Sequence, residues 1–329
     1  MDTSKFSNIQ FPSLGLEMNP PRGFPLFGFD IRFYGVVIAV GLLLAVMYGL
    51  KRSKQFGLKE DDILDGVLGI VPFAIICARL YYCFFSWDSY KAEPLKILYI
   101  WEGGLAIYGG VIGAAIGVVV FALIKRKKVR LTAVLDLVAI AFLIGQSVGR
   151  WGNFFNREAF GAEYDGFLRM GLMNKVTEQY IFVHPTFLYE SIWNLLGFIG
   201  LHFLSKIRKY DGQIALGYVF WYGLGRTFIE GLRADSLYWG SFRVSQLLAA
   251  ISCFAAAIAL ILLAFKKHDK AKLFVNVVAA REAAEAEAAE NTEEMTEAVT
   301  EEADEAAADE ATEATAEEST EAPSEEITK

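Results

Sequence analysis

Between Gly145 and Gly161 the chain reads GQSVGRWGNFFNREAFG. An apolar stretch of membrane length ends here. It gives way within a few residues to Arg150, Asn153, Asn156, Arg157 and Glu158, interleaved with Trp151, Phe154 and Phe155. A guanidinium presents a planar fork of donors that matches a phosphate, and neighbouring amides both donate and accept, so these residue types suit the seating of a phosphate headgroup at a membrane boundary. The same types also serve a plainer purpose, because arginines at the end of a span snorkel to the interface among belt aromatics.

Other polar residues sit where burial in lipid would not select them. Tyr222, Arg226 and Glu230 recur every four residues and therefore share one face of a helix. A lone Arg at bilayer depth costs about 2.5–3.5 kcal/mol on insertion scales. Arg226 therefore needs a partner such as Glu230 or a polar cavity, and a purely structural ion pair would satisfy that need too. The run Ile31-Arg32-Phe33-Tyr34-Gly35 opens the first apolar stretch, where the Tyr34 hydroxyl either meets headgroups or belongs to the aromatic belt. His184-Pro185-Thr186-Phe187-Leu188-Tyr189-Glu190 begins another. Helix-start punctuation explains Pro185 but not His184 together with Glu190, which read as supports for a polar site. Arg79, late in the second stretch, either reaches the same cavity as a weaker headgroup contact or snorkels.

The elements that must position these groups follow from composition. A chain of 329 residues that is 54% hydrophobic, with a mean hydropathy of +0.34, is too apolar for an ordinary soluble protein, and its fold class is an all-α polytopic membrane protein. A hydrocarbon core needs roughly 20 helical residues, and stretches near 32–50, 63–85, 104–124, 131–149, 185–205, 213–232 and 242–265 qualify, giving about seven transmembrane helices. Basic clusters at 51–54, 125–128, 206–209 and 266–268 follow the first, third, fifth and seventh stretches. All four lie on one side if the N-terminus is outside and the C-terminus cytoplasmic, which puts Arg150 at the outer face. The expected organisation is an extracytoplasmic segment over 1–30, a seven-helix membrane domain over 31–268 with a small outer-face cap at 150–183, and a cytoplasmic tail over 269–329.

Residues 281–329 hold 19 acids against Arg281 and Lys329, a net of −17; the first 280 residues carry 29 basic and 20 acidic residues, a net of +9. The membrane body thus suits anionic lipid, while the acid-rich, aperiodic tail reads as disordered. Nothing in this pattern suggests a nucleic-acid partner. Cys77, Cys83 and Cys253 lie in or beside apolar runs and form neither a disulfide framework nor a CxxC metal site, and the first thirty residues lack a cleavable signal, so the first span is expected to stay attached as an anchor. Gly109, Gly113 and Gly117 line one face of the third stretch for close helix packing.

The order Gly149-Arg150-Trp151-Gly152-Asn153-Phe154-Phe155-Asn156-Arg157-Glu158 resembles the G-R-x-G-N-F-x-N-x-E signature of the bacterial prolipoprotein diacylglyceryl transferases. Matches continue from about Tyr34 to Glu230: the aromatic-Tyr-Gly entry, the H-P-x-x-L-Y-E block, and the Y-G-x-x-R-x-x-x-E spacing of Tyr222, Arg226 and Glu230, followed by Arg233 and Asp235. Trp101–Gly110 resembles a further block in which many members carry His where this chain has Tyr108. A phenol with a reference pKa of about 10 is a poorer base at neutral pH than an imidazole at about 6.5, so Tyr108 is better suited to donate or relay a hydrogen bond.

The resemblance implies transfer of the diacylglyceryl group of phosphatidylglycerol to the lipobox cysteine of a prolipoprotein signal peptide, with release of glycerol phosphate, at the outer face of a bacterial cytoplasmic membrane. It implies catalytic roles for Arg150, Arg226, Tyr108, Glu158 and Glu230, and substrate contacts for Arg150, Asn153, Tyr34, Tyr222, Asn156, Arg79 and His184, among bacterial membrane lipids and with no cofactor and no metal called for by the chemistry. Two other readings compete. Asp62-Ile63-Leu64-Asp65-Gly66 imitates the start of a CDP-alcohol phosphotransferase motif, without its Ala-Arg and downstream aspartates. Buried arginines also suit a non-enzymatic anionic-lipid transporter, although no sequence repeat supports one.

Overall fold

The computed structural model describes residues 5–100, 103–234, 238–239, 242–292 and 295. Seven long helices dominate it: α1 (Phe33–Arg52), α2 (Glu60–Phe85), α3 (Ile107–Ile124), α4 (Leu131–Asn156), α5 (Thr186–Lys206), α6 (Gln213–Leu232) and α7 (Val244–Ala264). Among the described residues six of the seven are long and apolar enough to cross a membrane, α6 being the exception. Four glycines (Gly217, Gly223, Gly225 and Gly231) and the polar series Tyr222, Arg226 and Glu230 lower its hydropathy. It can be polar because it packs against α4, α5 and α7. The most enclosed of the apolar helices is α4, which touches α1, α3, α5 and α6.

The N-terminus of α6 is fastened to α4 by Asp136, fully buried, which accepts hydrogen bonds from Gly212 N at 2.8 Å and Ala215 N at 2.9 Å. A carboxylate at a helix start meets both its unpaired N–H groups and the positive end of its dipole. This junction sets the height of α6 against α4, and hence of Arg226 against Arg150.

The expectation of an all-α fold needs correction. Strands β1 (Phe6–Phe11), β2 (Leu16–Met18), β5 (Met170–Asn174) and β6 (Gln179–Val183) form an antiparallel sheet in the order β2-β1-β5-β6, with Ile9 opposite Leu172. Between them β3 (Gly23–Leu26) and β4 (Phe29–Arg32) make a hairpin, and β7 (Tyr238–Trp239) pairs with β8 (Phe242–Arg243). The N-terminal segment and the 150–183 loop therefore build one cap. Its core of Phe6, Ile9, Phe11, Phe160, Leu172 and Val183 closes over Phe154 at the end of α4 and Phe187 at the start of α5. The sequence conceals this sheet because its strands are short and the β1–β5 pairing joins segments some 160 residues apart, where no local period can register.

The first compact unit runs through Asn276. Beyond α7, Leu273 and Phe274 are buried, and Arg130 Nη1 donates to Lys272 O at 2.8 Å. In the second unit, which begins at Val277, residues 277–292 are helical, and of the tail over 281–329, expected to be disordered, only 281–292 have described regular structure. The acid-rich remainder, apart from Met295, lies outside the described residues.

Candidate active site

The end of α4 decides the geometry. The polar residues after Gly149, expected beyond the helix, instead continue it for two turns to Asn156. Arg157 closes it in the left-handed conformation at φ 55°, its N–H bonding to Asn153 O and Phe154 O. Gly152 is required where the Tyr34 ring crosses α4, since an added Cβ would lie 2.7 Å from Tyr34 Cδ2. Tyr34 is thus placed beside the signature. Helical spacing puts Arg150 and Asn153 on one face, with Arg150 Nη1 donating to Asn153 Oδ1 at 3.4 Å. Asn153 Nδ2 and Asn156 Nδ2 both donate to Glu158 Oε1, at 3.0 and 3.2 Å, so Arg150, Asn153, Glu158 and Asn156 form one connected polar chain.

Glu190, in the second turn of α5, is the centre of the site. Its Oε2 pairs with Arg150 Nη2, while Oε1 lies 3.3 Å from Arg226 Nη1 and 3.6 Å from Arg233 Nη1. Glu230 lies one turn beyond Arg226 on α6 and holds Arg226 Nη2 at 2.6 Å through Oε2. Three guanidiniums, one from α4 and two from the end of α6, thus converge on two buried carboxylates. The carboxylates offset much of the cost of burying the arginines and spread their forks apart. Arg150, at 23% side-chain exposure, is the most accessible of the three and the one best placed to meet an incoming anion.

Several sequence expectations change. Arg79 is 4% exposed, and its donors are spent on the backbone carbonyls of Ile97, Gly103, Gly104, Lys96 and Tyr99, at 2.6–3.2 Å. It staples the backbone at 96–99 to that at 103–104 and has no donor left for a headgroup. Arg157 is likewise structural: it donates to Ser7 O at 2.5 Å, Phe155 O at 2.9 Å, Pro20 O at 2.7 Å and Asn19 Oδ1 at 3.0 Å, tying the N-terminal segment to α4. Burial, with Arg22 nearby, pushes its pKa down to about 10. Even so, it remains a cation at neutral pH.

Tyr108 is half-exposed on the first turn of α3, and no described hydrogen bond or ring contact joins it to the cluster. Glu102 and Asp235, quoted from the motif blocks, lie outside the described residues. His184 stacks on Tyr164 with centroids 3.9 Å apart, and its Nδ1 is 3.4 Å from Tyr189 Oη. It braces the cap, and burial lowers its pKa. Tyr222 stacks on Tyr218, one turn below Arg226. Asp62 and Asp65, the start of the phosphotransferase-like motif, are both bound by Lys125 Nζ, at 2.7 and 2.5 Å, which explains them as a helix-joining ion pair. An apolar groove of about 620 Å³ beside α2 and α3, lined by residues such as Cys77, Tyr81 and Phe84, offers almost no polar surface for a phosphate. The residues that sequence reasoning underweighted are Glu190 and Arg233. Both stand in the motif blocks, but only the packing of α5 between α4 and α6 reveals that they belong to the cluster.

Comparison with known proteins identifies the family. Residues 21–263 match the sequence model of the family described as prolipoprotein diacylglyceryl transferase. Proteins named phosphatidylglycerol–prolipoprotein diacylglyceryl transferase are similar along most of their length. The one from Listeria welshimeri is 40% identical over 243 residues, covering 72% of this chain and 87% of that protein. The Clostridium novyi protein is 43% identical over 235 residues (70% and 91%), and that of Limosilactobacillus reuteri 42% identical over 260 (75% and 91%). With the match running through all seven helices, the chain belongs to the prolipoprotein diacylglyceryl transferase family.

Proposed function

We propose that the arginine cluster around Glu190 is the active centre of the transferase, with Arg150 and Arg226 binding the lipid phosphate. As a member of its family the protein is a multi-pass membrane enzyme that transfers the diacylglyceryl group of phosphatidylglycerol to prolipoproteins. One observation carries the assignment of the site: Arg150 of α4 and Arg226 of α6 meet on opposite oxygens of Glu190.

In the reaction the sulfur of the substrate cysteine attacks the glyceryl carbon that bears the phosphate ester. A carbon–sulfur bond forms, the carbon–oxygen bond breaks, and glycerol phosphate departs with the bonding electrons. Negative charge gathers on the phosphate as that bond lengthens, so guanidiniums fixed beforehand by Glu190 and Glu230 stabilise the transition state more than the ground state. Asn153 orients the headgroup. The thiol, with a reference pKa of about 8.5, passes its proton to Glu158 or Glu230 as the positive field raises its thiolate fraction. Tyr34, Tyr222 and Asn156 line the approach, and Tyr108 relays a hydrogen bond to the incoming substrate. The basic clusters after α1, α3, α5 and α7 support an orientation with this site at the outer face, where signal peptides carrying a lipobox emerge.

The test is incubation of the purified protein with phosphatidylglycerol and a lipobox peptide, followed by mass spectrometry. A diacylglyceryl adduct on cysteine is expected, and Arg150→Ala should abolish it while leaving membrane insertion intact. Near-normal transfer by that variant would overturn the assignment of the cluster.

A further inference from the structure

Beneath Arg150 and Arg226 the polar face of the site continues towards the middle of the bundle. Gln146 lies one turn before Arg150 on α4, a rise of about 6 Å, while Tyr222 and Tyr218 lie one and two turns before Arg226 on α6. Tyr218 Oη donates to Gln146 Oε1 at 3.3 Å. The Tyr218 and Tyr222 rings are nearly parallel, 5.7 Å between centroids and 11° between planes, and Phe142 closes edge-on against Tyr218 at 6.1 Å. A carboxamide at this depth is costly unless both its ends are used. Tyr218 satisfies the oxygen, but the nitrogen carries two N–H donors, and no acceptor for them is found among the described residues. Exchanging the amide oxygen and nitrogen would still leave one N–H free. Gln146 is only partly buried, so this donor faces accessible space.

The chemistry of a glycerophospholipid identifies what fits. Passing from the phosphate towards the tails, the next polar groups are the two acyl-ester carbonyls, which only accept hydrogen bonds, and beyond them lies hydrocarbon. We propose that Gln146, oriented by Tyr218, donates a hydrogen bond to an ester carbonyl of the bound lipid, so that the site reads the ester linkage as well as the headgroup. The inference rests on the reading that Arg150 and Arg226 hold the phosphate. It makes Gln146 a determinant of selectivity between diester lipids and dialkyl ether lipids, whose ether oxygens are poor acceptors.

The experiment compares 1,2-diacyl with 1,2-dialkyl phosphatidylglycerol of equal chain length, using the full-length protein in vesicles, a lipobox peptide and mass spectrometry. One neutral hydrogen bond corresponds to roughly a three- to tenfold preference in kcat/KM for the diester in the wild-type protein. Gln146→Met, close in shape but without donors, should bring the ratio of the two lipids to about one. The ratio does not depend on how much of the variant folds, because an inactive fraction lowers both rates alike. A wild-type protein indifferent to the linkage, or a variant that keeps the wild-type preference, would overturn the proposal. Transfer from neither lipid by the wild type would instead sink the transferase reading, and this proposal with it.

Discussion

Replacing Glu190 by Gln tests whether one carboxylate organises the arginine cluster. Glu190 is 5% exposed and faces Arg150, Arg226 and Arg233. Gln keeps the shape but removes the charge. Arg226 and Arg233 then keep Glu230, Arg150 keeps its contact with Asn153, and one end of the new amide turns N–H donors towards an arginine. Removing one partner from a buried pair typically costs about 3–5 kcal/mol. At about 2–4 °C per kcal/mol for a protein of this size class, the melting temperature in detergent should fall on the order of 10 °C. If the same energy is lost from the alignment of Arg150 and Arg226 in the transition state, kcat/KM should drop by roughly two to three and a half orders of magnitude. Glu190→Asp separates charge from reach. It retains the negative charge, so most of the stability should survive, but it is one methylene too short to span both arginines, so turnover should still fall steeply. The two assays are thermal unfolding of the purified variants and quantitative mass spectrometry of the lipobox peptide. A Glu190→Gln protein that melts within a degree or two of wild type and transfers at near-normal rate would refute the reasoning.

Arg157→Ala removes three hydrogen bonds that hold the N-terminal segment, to Ser7, Asn19 and Pro20, and limited proteolysis should then cut within residues 5–32 several times faster than in wild type; equal cleavage rates would show that the sheet alone holds the segment. Gly225 lies directly against the Trp193 indole, which stacks on Trp221 at 4.3 Å, so Gly225→Ala should force α5 and α6 apart, costing about 1–3 kcal/mol and much of the activity; a normal melting temperature would contradict the packing. Burial holds the His184 pKa below its ordinary value of about 6.5. The unfolded chain therefore takes up a proton before the folded cap does, and the contribution of His184 to stability is present above pH 6.5 and lost as pH falls towards the folded pKa. Melting curves across that window should decline more in wild type than in His184→Gln, and parallel curves would count against it. Tyr108→Phe should lower the transfer rate measurably; an unchanged rate reduces Tyr108 to packing.

Much of this protein was legible in one dimension. All seven stretches near 32–50 to 242–265 are helices, and six of them display the length and apolarity that a hydrocarbon core imposes; the stretch near 213–232 forms α6 but is too polar to meet that measure. Helical spacing alone put Arg226 and Glu230 on one face, and the ion pair at 2.6 Å is a local consequence. The continuation of α4 to Asn156 was hidden, because polar residues that end an apolar stretch look the same whether they leave the helix or extend it into a cap. Arg79 was misjudged for a related reason: an intramembrane arginine announces a need for partners, and only the folded loop supplies five carbonyls to meet it. The cap sheet, the role of Glu190 and the Gln146–Tyr218 contact all pair residues far apart in the chain. Residue types and periods record what each segment requires, whereas which segment answers the requirement is settled when α5 packs against α4 and α6 and brings one carboxylate between two arginines.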